Sequence, residues 1–199
     1  VEDMIGSAGN DTRDGKGGAE IIKGMGGNDT LTDVDGKAVL HGDAGDDTFV
    51  VKDRDSDTYI KPKDFSEIHG GTGVDSIQVN GTGVTLDIRQ TAWTGAKTID
   101  GIEVLDIKSG NGLFLDSWGV DKLNAGRDDT THPLRIVGAA GSTFEFPTLA
   151  ENWHCSDPAA TVTDDKGRVF YLFEDSGGNQ VLVQTTLTQI IHGTAGNDT

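Results

Sequence analysis

Apolar residues near the start of the chain recur at a spacing of nine. Leu31, Leu40 and Phe49 follow Ile22 at this interval, while Arg13 holds the first place in the series. A glycine stands four residues before each member, at Gly9, Gly18, Gly27, Gly36 and Gly45. Glycine allows a tight turn, and a short strand between two turns places one apolar residue inside the coil. The pattern therefore predicts a coiled β-structure over residues 6–50.

Further strands are predicted between residues 79 and 190, where apolar and polar residues alternate. They are 84–88, 102–107, 134–137, 143–146, 168–173 and 180–184. The turn at 177–179 would pair the last two as a hairpin. Only 116–123 reads as a helix, with Asp116 as its N-cap. The predicted fold class is all-β, with parallel roll turns joined to a sandwich or solenoid-like body and at most one or two short helices.

Oxygen-bearing side chains follow the glycines in phase. Two residues after each glycine come Asp11, Glu20, Asp29, Ala38 and Asp47. This spacing is the glycine-rich nonapeptide G-G-x-G-x-D-x-U-x, in which aspartate and backbone carbonyl groups supply hard oxygen ligands for calcium. An ordinary flexible loop does not keep one phase over five repeats, so the motif predicts several bound calcium ions.

The repeats resemble those of the RTX proteins, the calcium-dependent exoproteins and adhesins exported by type I secretion. The resemblance rests on GSAGNDT at 6–12, GMGGNDTLT at 24–32 and GDAGDDTFV at 42–50. It implies a parallel β-roll in which two nonapeptides make one coil and calcium lies between stacked turns. Two calcium sites are then expected at the edge that stacks Asn10, Asp11, Asn28, Asp29, Asp46 and Asp47. The opposite edge stacks Ala19-Glu20 over Lys37-Ala38 and has lost a carboxylate, so the ladder is expected on one edge only.

A displaced repeat follows at 70–77, with Asp75 at its acidic position as a further expected calcium ligand. Its Gly73 comes 28 residues after Gly45, so residues 51–69 interrupt the roll, and the displaced turn either caps or rejoins it. Within the insertion, Asp53, Asp55 and Asp57 alternate as at the start of a calcium loop. These three are expected to be either calcium ligands or a solvated acidic turn.

Three segments are predicted along the chain. Residues 1–78 form the roll with its insertion at 51–69 and are integrated with a β-rich ligand-binding body at 79–190. Residues 191–199 nearly repeat 5–12 and are interpreted as the start of a further repeat, so that neighbouring modules of the same protein are expected partners.

The body also resembles stretches of large RTX adhesins, through residues 98–107, 113–115, 135–142, Trp153 and 169–183. Some modules of this kind are ligand-binding domains, and a subset captures peptide C-termini with a calcium ion that contacts the carboxylate. Exposed tryptophan is common in peptide and sugar sites, although burial is the more frequent fate of this residue. Carboxylates in the body are candidates for a further, partly open calcium site. The candidate ligand-binding residues are Trp93, Asp100, Trp118, Asp128, Asp129 and Trp153.

Composition narrows the possible partners. The formal net charge is −17 and the chain has 29 glycines, so bound cations would relieve its self-repulsion, and nucleic acid is not an expected partner. No direct insertion into a membrane is expected. The single Cys155 excludes an internal disulfide, and its neighbour His154 points to the opposite face of an extended chain, which argues against a Cys/His nucleophile.

The leading hypothesis from the sequence is a non-enzymatic, calcium-dependent module for ligand binding in cell adhesion, located outside the cell. Its expected partner is a peptide or glycan on a host or neighbouring cell. The alternative is a calcium-rigidified spacer of a surface fibre. A calcium-triggered self-processing domain, cleaved at Asp157-Pro158, is the third and weakest hypothesis.

Overall fold

The structure is a computed structural model that describes residues 3–16, 21–32, 38–52, 59–61, 67–92, 98–127, 132–146 and 153–189. Within these residues the protein is all-β, as predicted, with one α-helix, α1 (Ser117–Asn124), and one 3-10 turn at Gln90–Ala92. The strands are β1 Met4–Ile5, β2 Thr12–Asp14, β3 Ile21–Gly26, β4 Thr30–Thr32, β5 Val39–Ala44, β6 Thr48–Lys52, β7 Tyr59–Ile60, β8 Glu67–Thr72, β9 Ser76–Asn80, β10 Thr85–Ile88, β11 Ile99–Asp100, β12 Val104–Asp106, β13 Gly112–Leu115, β14 Leu134–Val137, β15 Thr143–Glu145, β16 His154–Cys155, β17 Val162–Thr163, β18 Val169–Glu174, β19 Gln180–Gln184 and β20 Thr188–Gln189.

These strands form three sheets. The first has the order β1-β3-β5-β8-β11, and the second has the order β2-β4-β6-β9-β12-β14-β19-β18-β16, with β17 paired to β18. The third has the order β7-β10-β13-β15-β20. All pairings are parallel except those of β18 with β16, β17 and β19. Successive turns of the chain therefore stack strand on strand, which is the arrangement of a solenoid.

The first turns of the coil alternate between the first and second sheets. Ile21 pairs with Val39 in the first sheet, and Thr30 pairs with Thr48 in the second. Equivalent backbone positions are eighteen residues apart, the length of two nonapeptides. The predicted inward residues Ile22, Leu31, Leu40 and Phe49 are all buried in the core, because the strand alternation turns every second side chain inward.

The coil continues beyond the predicted insertion. Val39 pairs with Glu67 and Thr48 with Ser76, so the displaced repeat rejoins the coil, and the spacing between turns rises to twenty-eight residues. Part of the added length, β7, begins the third sheet by pairing with β10. The coil therefore has two faces at its start and three thereafter.

The ten-stranded second sheet crosses from the predicted roll segment into the predicted body segment. Strand β9, which spans residue 78, pairs with β6 on one side and β12 on the other. The core is likewise continuous, since one cluster contains Ile22 and Leu31 together with Leu134 and Val181.

Several local predictions are confirmed by the structure. Strands β18 and β19 form the predicted antiparallel hairpin, and β14 and β19 have the predicted bounds. Helix α1 begins where it was predicted, because the Asp116 side chain accepts a hydrogen bond from Gly119 N at 2.8 Å. Among the described residues, none belongs to a helix with the length and apolarity that crossing a membrane requires.

Candidate metal centre

The corner between the first and second sheets places one acidic residue at each turn of the coil. Asp11, Asp29, Asp47 and Asp75 precede β2, β4, β6 and β9 respectively, and Glu103 precedes β12. Because the strands on both sides are paired in register, these five carboxylates form a single column, which we call the carboxylate ladder.

Each step of the ladder is joined by a hydrogen bond from backbone to side chain. Asp29 Oδ1 accepts from Asp11 N at 2.7 Å, and Asp47 Oδ1 accepts from Asp29 N at 2.8 Å. Asp75 Oδ1 accepts from Asp47 N at 2.9 Å, and Glu103 Oε2 accepts from Asp75 N at 2.7 Å. One oxygen of each carboxylate is thereby held against the turn before it, and this fixes the direction of the other oxygen.

The second oxygen has no partner at the three central levels. Asp29, Asp47 and Asp75 are each at most 1% exposed, and their Oδ2 atoms make no hydrogen bond. A buried carboxylate oxygen without a partner carries a large desolvation cost. A cation bound beside these three atoms would supply the partner that each of them lacks.

Backbone carbonyl groups converge on the same spaces. A methyl group placed on Gly42 would lie 2.2 Å from Asp47 Oδ2 and 2.4 Å from the carbonyl oxygen of Gly70. The same construction on Gly24 reaches Asp29 Oδ2 at 2.0 Å and Gly42 O at 2.8 Å. These glycines keep open a cradle that any side chain would fill. The cradle repeats at Gly70, where Gly101 O lies at 1.8 Å and Asp75 Oδ2 at 2.6 Å from the added methyl group.

The ladder is electrostatically strained without a cation. Burial raises the pKa of Asp47 to about 6, and repulsion from Asp29, Asp43 and Asp46 adds to it. Burial likewise raises the pKa of Asp75 to about 8, with repulsion from Asp47 and Glu103 as a further cause. The backbone hydrogen bonds to both carboxylates oppose these increases. A cation between the turns would reverse the sign of the local field.

The donor set fits calcium. Calcium takes oxygen ligands from carboxylates and backbone carbonyl groups in flexible geometry, and the cradles offer one carboxylate oxygen and at least one carbonyl oxygen at each central level. No three His, Cys, Asp or Glu side chains converge on one point in the described ranges. An ion held at one level would therefore need backbone carbonyl groups as ligands beside a single carboxylate oxygen.

Asn10, Asn28 and Asp46 form a second column. Asn10 Oδ1 accepts a hydrogen bond from Asn28 N at 2.8 Å, and Asn28 Oδ1 accepts one from Asp46 N at 3.0 Å. Asp46 Oδ1 in turn accepts a hydrogen bond from Val74 N at 2.9 Å. These oxygens were predicted to be metal ligands. In the structure each of these oxygens accepts one backbone N–H of a neighbouring turn. An amide or carboxylate oxygen has a second lone pair, so the role of Asn10, Asn28 and Asp46 as metal ligands stays a prediction.

Both ends of the ladder are closed by other side chains. At the first turn, Asp11 Oδ2 accepts from Ser7 N at 2.6 Å and from Ser7 Oγ at 2.8 Å, and these bonds lower the pKa of Asp11. At the last turn, Glu103 Oε1 accepts from Arg127 Nε at 2.9 Å. The ladder therefore has three open levels, where the sequence predicted two sites, and Asp75 supplies the third.

Glu103 and Arg127 were missed by the sequence analysis. Glu103 follows Gly101 by two residues and precedes Leu105 by two, which is the spacing of acid and apolar residue in the nonapeptide. This spacing could therefore have identified Glu103 from the sequence. Arg127 carries no such signal, because only the docking of helix α1 brings it to the ladder: Ile102 N donates to Leu123 O at 3.0 Å.

The predicted ligand-binding residues are dispersed. Trp118 lies half-buried on α1 beneath Lys122, whose Nζ is 5.2 Å from the ring centroid. Asp100 Oδ1 pairs with His69 Nδ1 at 2.9 Å. Trp153 is in the core, stacked on Phe146 with 4.5 Å between ring centroids, so its predicted role as an exposed ligand contact is wrong. The candidates Asp53, Asp55, Asp57, Trp93, Asp128 and Asp129 lie outside the described residues, as do 191–199 and most of the opposite edge.

A groove lies on the outer face of the second sheet. Its volume is about 340 Å³, and its walls include Arg135, Lys166 and Asp165. Asp46 and Asp47 also line it, so the groove reaches the carboxylate ladder. Arg135 Nε is buried without a hydrogen bond.

The Arg135 guanidinium is the half-buried, unpaired cation of this groove. Of the other cationic side chains in its walls, Arg168 pairs with Asp164 at 2.7 Å, and Lys166 is exposed to solvent. Within the described part of the chain, the Arg135 side chain makes neither an ion pair nor a hydrogen bond. Arginine has a planar set of five donors that matches a carboxylate.

Known proteins supply no guide to this site, because no family model matches the chain and no curated protein or solved structure is significantly similar to it.

Proposed function

We propose that this chain is a calcium-dependent extracellular ligand-binding module, of the kind found in RTX adhesins. The observation that carries the proposal is the row of buried, unpartnered Oδ2 atoms at Asp29, Asp47 and Asp75. Calcium at these three levels would offset the desolvation cost of the carboxylates and lock successive turns together. Millimolar calcium is available outside cells, where a weak, repeated site of this kind would be filled.

The ligand-binding part of the proposal is supported by the groove beside the ladder. The ladder residue Asp47 and its neighbour Asp46 line the groove, so calcium at the Asp47 level would fix the shape of that wall. Arg135 then offers an unpaired guanidinium to an anionic group in a strongly acidic protein. A ligand carboxylate, such as a peptide C-terminus or an acidic sugar, has the matching chemistry. The proposed role is binding and involves no catalysis.

The experiment is a binding screen with two classes of ligand, each tested with calcium and with chelator. Short peptides with free C-termini are compared with the same peptides amidated, and a glycan array is screened beside them. We expect calcium-dependent capture of carboxylate-bearing ligands. Arg135→Gln should weaken that binding by about 10- to 100-fold, because a charge-assisted hydrogen bond contributes roughly 1.5–3 kcal/mol.

Lys52→Gln is the matched control for this screen. It removes the same charge from an exposed residue that does not line the groove, and it should leave binding unchanged. Equal affinity for free and amidated peptides, together with neutral and acidic glycans binding alike, would contradict the carboxylate assignment. Unchanged ligand affinity in Arg135→Gln would contradict it as well.

A spacer in a surface fibre is the second candidate function. The observation that favours it is the ten-stranded sheet, which stacks turns of the chain in one direction over both predicted segments. Such a stack, cross-linked by calcium, would resist bending. Calcium-dependent folding without capture of any ligand in the screen would favour the spacer over the binding module.

A further inference from the structure

The last level of the ladder differs from the three open ones. Glu103 accepts the backbone N–H of Asp75 with Oε2, as the aspartates do for the turns before them. Its other oxygen, Oε1, is held by Arg127 Nε at 2.9 Å. Glu103 is 3% and Arg127 is 4% exposed, so this is a buried pair at the end of the column. Arg127 therefore occupies the place that is open beside Asp29, Asp47 and Asp75.

The guanidinium of Arg127 is surrounded by oxygen atoms of three kinds. Besides the Glu103 carboxylate, Arg127 Nη1 donates to Asn124 Oδ1 at 2.6 Å, and Arg127 Nη2 donates to the His132 carbonyl oxygen at 2.8 Å. A carboxylate, a side-chain amide and a backbone carbonyl are the ligand types that calcium takes in proteins. The position has the donor set of a calcium site and holds an organic cation.

The local fold explains how the arginine reaches this position. Helix α1 ends at Asn124, and its C-terminal turn docks on the corner at 101–102, where Gly101 N donates to Ala125 O and Ile102 N donates to Leu123 O. Gly126 adopts a φ of 74°, a backbone conformation that suits glycine and reverses the chain. Arg127 then points back at Glu103.

We propose that Arg127 is a built-in cation that ends the calcium ladder, and that removal of its guanidinium turns the last level into an additional calcium site. The proposal rests on the calcium ladder proposed above. Arginine stays charged at every accessible pH and cannot be extracted by a chelator, so this end of the coil is held together when calcium is withdrawn.

Arg127→Met tests the proposal, because it keeps most of the side-chain stem and removes the charge. Calcium bound per chain is counted by native mass spectrometry, and thermal melting is followed in chelator and in 10 mM calcium. We expect one more calcium ion than in the unsubstituted protein. We also expect melting to fall sharply in chelator and to be largely restored by calcium.

Two further variants separate this role from simple packing. Arg89→Met removes another ion-paired arginine, whose partner is Asp87, and should change neither the calcium count nor the calcium dependence of melting. Arg127→Met combined with Glu103→Gln lacks both charges and should bind no additional calcium. An unchanged count in Arg127→Met, or a fold that 10 mM calcium does not restore, would overturn the proposal. Failure of the unsubstituted protein to bind calcium would instead overturn the ladder itself.

Discussion

Alanine at Gly42 is expected to abolish calcium binding at the centre of the ladder and to lower the melting temperature in calcium by roughly 10 °C. The added methyl group would lie 2.2 Å from Asp47 Oδ2 and 2.4 Å from Gly70 O. The carbonyl oxygen belongs to the paired backbone and has little freedom to move, so the turns must separate. Differential scanning calorimetry with calcium and with chelator measures the effect.

Gly26→Ala is the matched control for this substitution. Gly26 also lies in a strand of the first sheet, but the nearest contacts of an added methyl group there are at 3.8 Å, an ordinary packing distance. We expect Gly26→Ala to retain the calcium-bound melting temperature within a few degrees. Similar losses in both variants would mean that the cradle above Gly42 is not a ligand site.

Replacement of Asp75 by asparagine is expected to change stability in opposite directions with and without calcium. Without calcium at pH 8, the buried Asp75 carboxylate opposes folding, because its pKa of about 8 in the folded chain lies far above the ordinary aspartate value of 3.8. Asparagine removes that penalty, which is on the order of a few kcal/mol. With calcium, asparagine removes a charged ligand, so the melting temperature and the calcium affinity should both fall.

The pH dependence of the calcium-free protein has the same origin. A carboxylate with a raised folded pKa favours the protonated native state, so the stability that this group contributes is greatest below pH 4 and is lost as the pH rises toward 8. Asp47, whose pKa in the folded chain is about 6, adds to this loss of stability in the lower part of the same pH range. Asp3→Asn, which changes an exposed carboxylate, is the control. It should not change stability in opposite directions with and without calcium, and it should leave the slope of stability against pH unaltered. Destabilisation of Asp75→Asn in chelator as well as in calcium would contradict the ladder model.

The repeat phase was enough to predict the acidic edge of the coil. Asp29 and Asp47 fall eighteen residues apart, and the parallel register brings each carboxylate to the backbone N–H of the turn before it. Local signals also sufficed for the hairpin of β18 and β19 and for the N-cap at Asp116, because turn and cap preferences act over a few residues.

The sequence left open whether the body is a sandwich or a continuation of the coil. Turn spacing changes from eighteen to twenty-eight residues at Asp47 and Asp75, and Val104 pairs with Arg135 across a longer connection still. A coil tolerates added residues at its corners, because the cost of closing a loop rises slowly with length. Unequal turns erase the periodicity that a sequence search relies on, although the stacking of strands is preserved.

The details of the site depended on tertiary packing in the same way. Arg127 reaches Glu103 only because α1 docks on the corner at 101–102. Trp153 was a candidate ligand contact because it lies in a polar stretch of sequence, whereas stacking on Phe146 buries it. The roles of Asn10 and Asn28 followed from the register between turns, which places each amide oxygen opposite a backbone N–H.

Calcium titration of the unsubstituted protein, followed by near-ultraviolet circular dichroism with a parallel count of bound ions by native mass spectrometry, tests the central claim most directly. The account predicts cooperative gain of tertiary signal and at least three calcium ions, one for each unpartnered Oδ2 atom at Asp29, Asp47 and Asp75. A chain that is equally folded in chelator and in 10 mM calcium, with no ion retained, would contradict it.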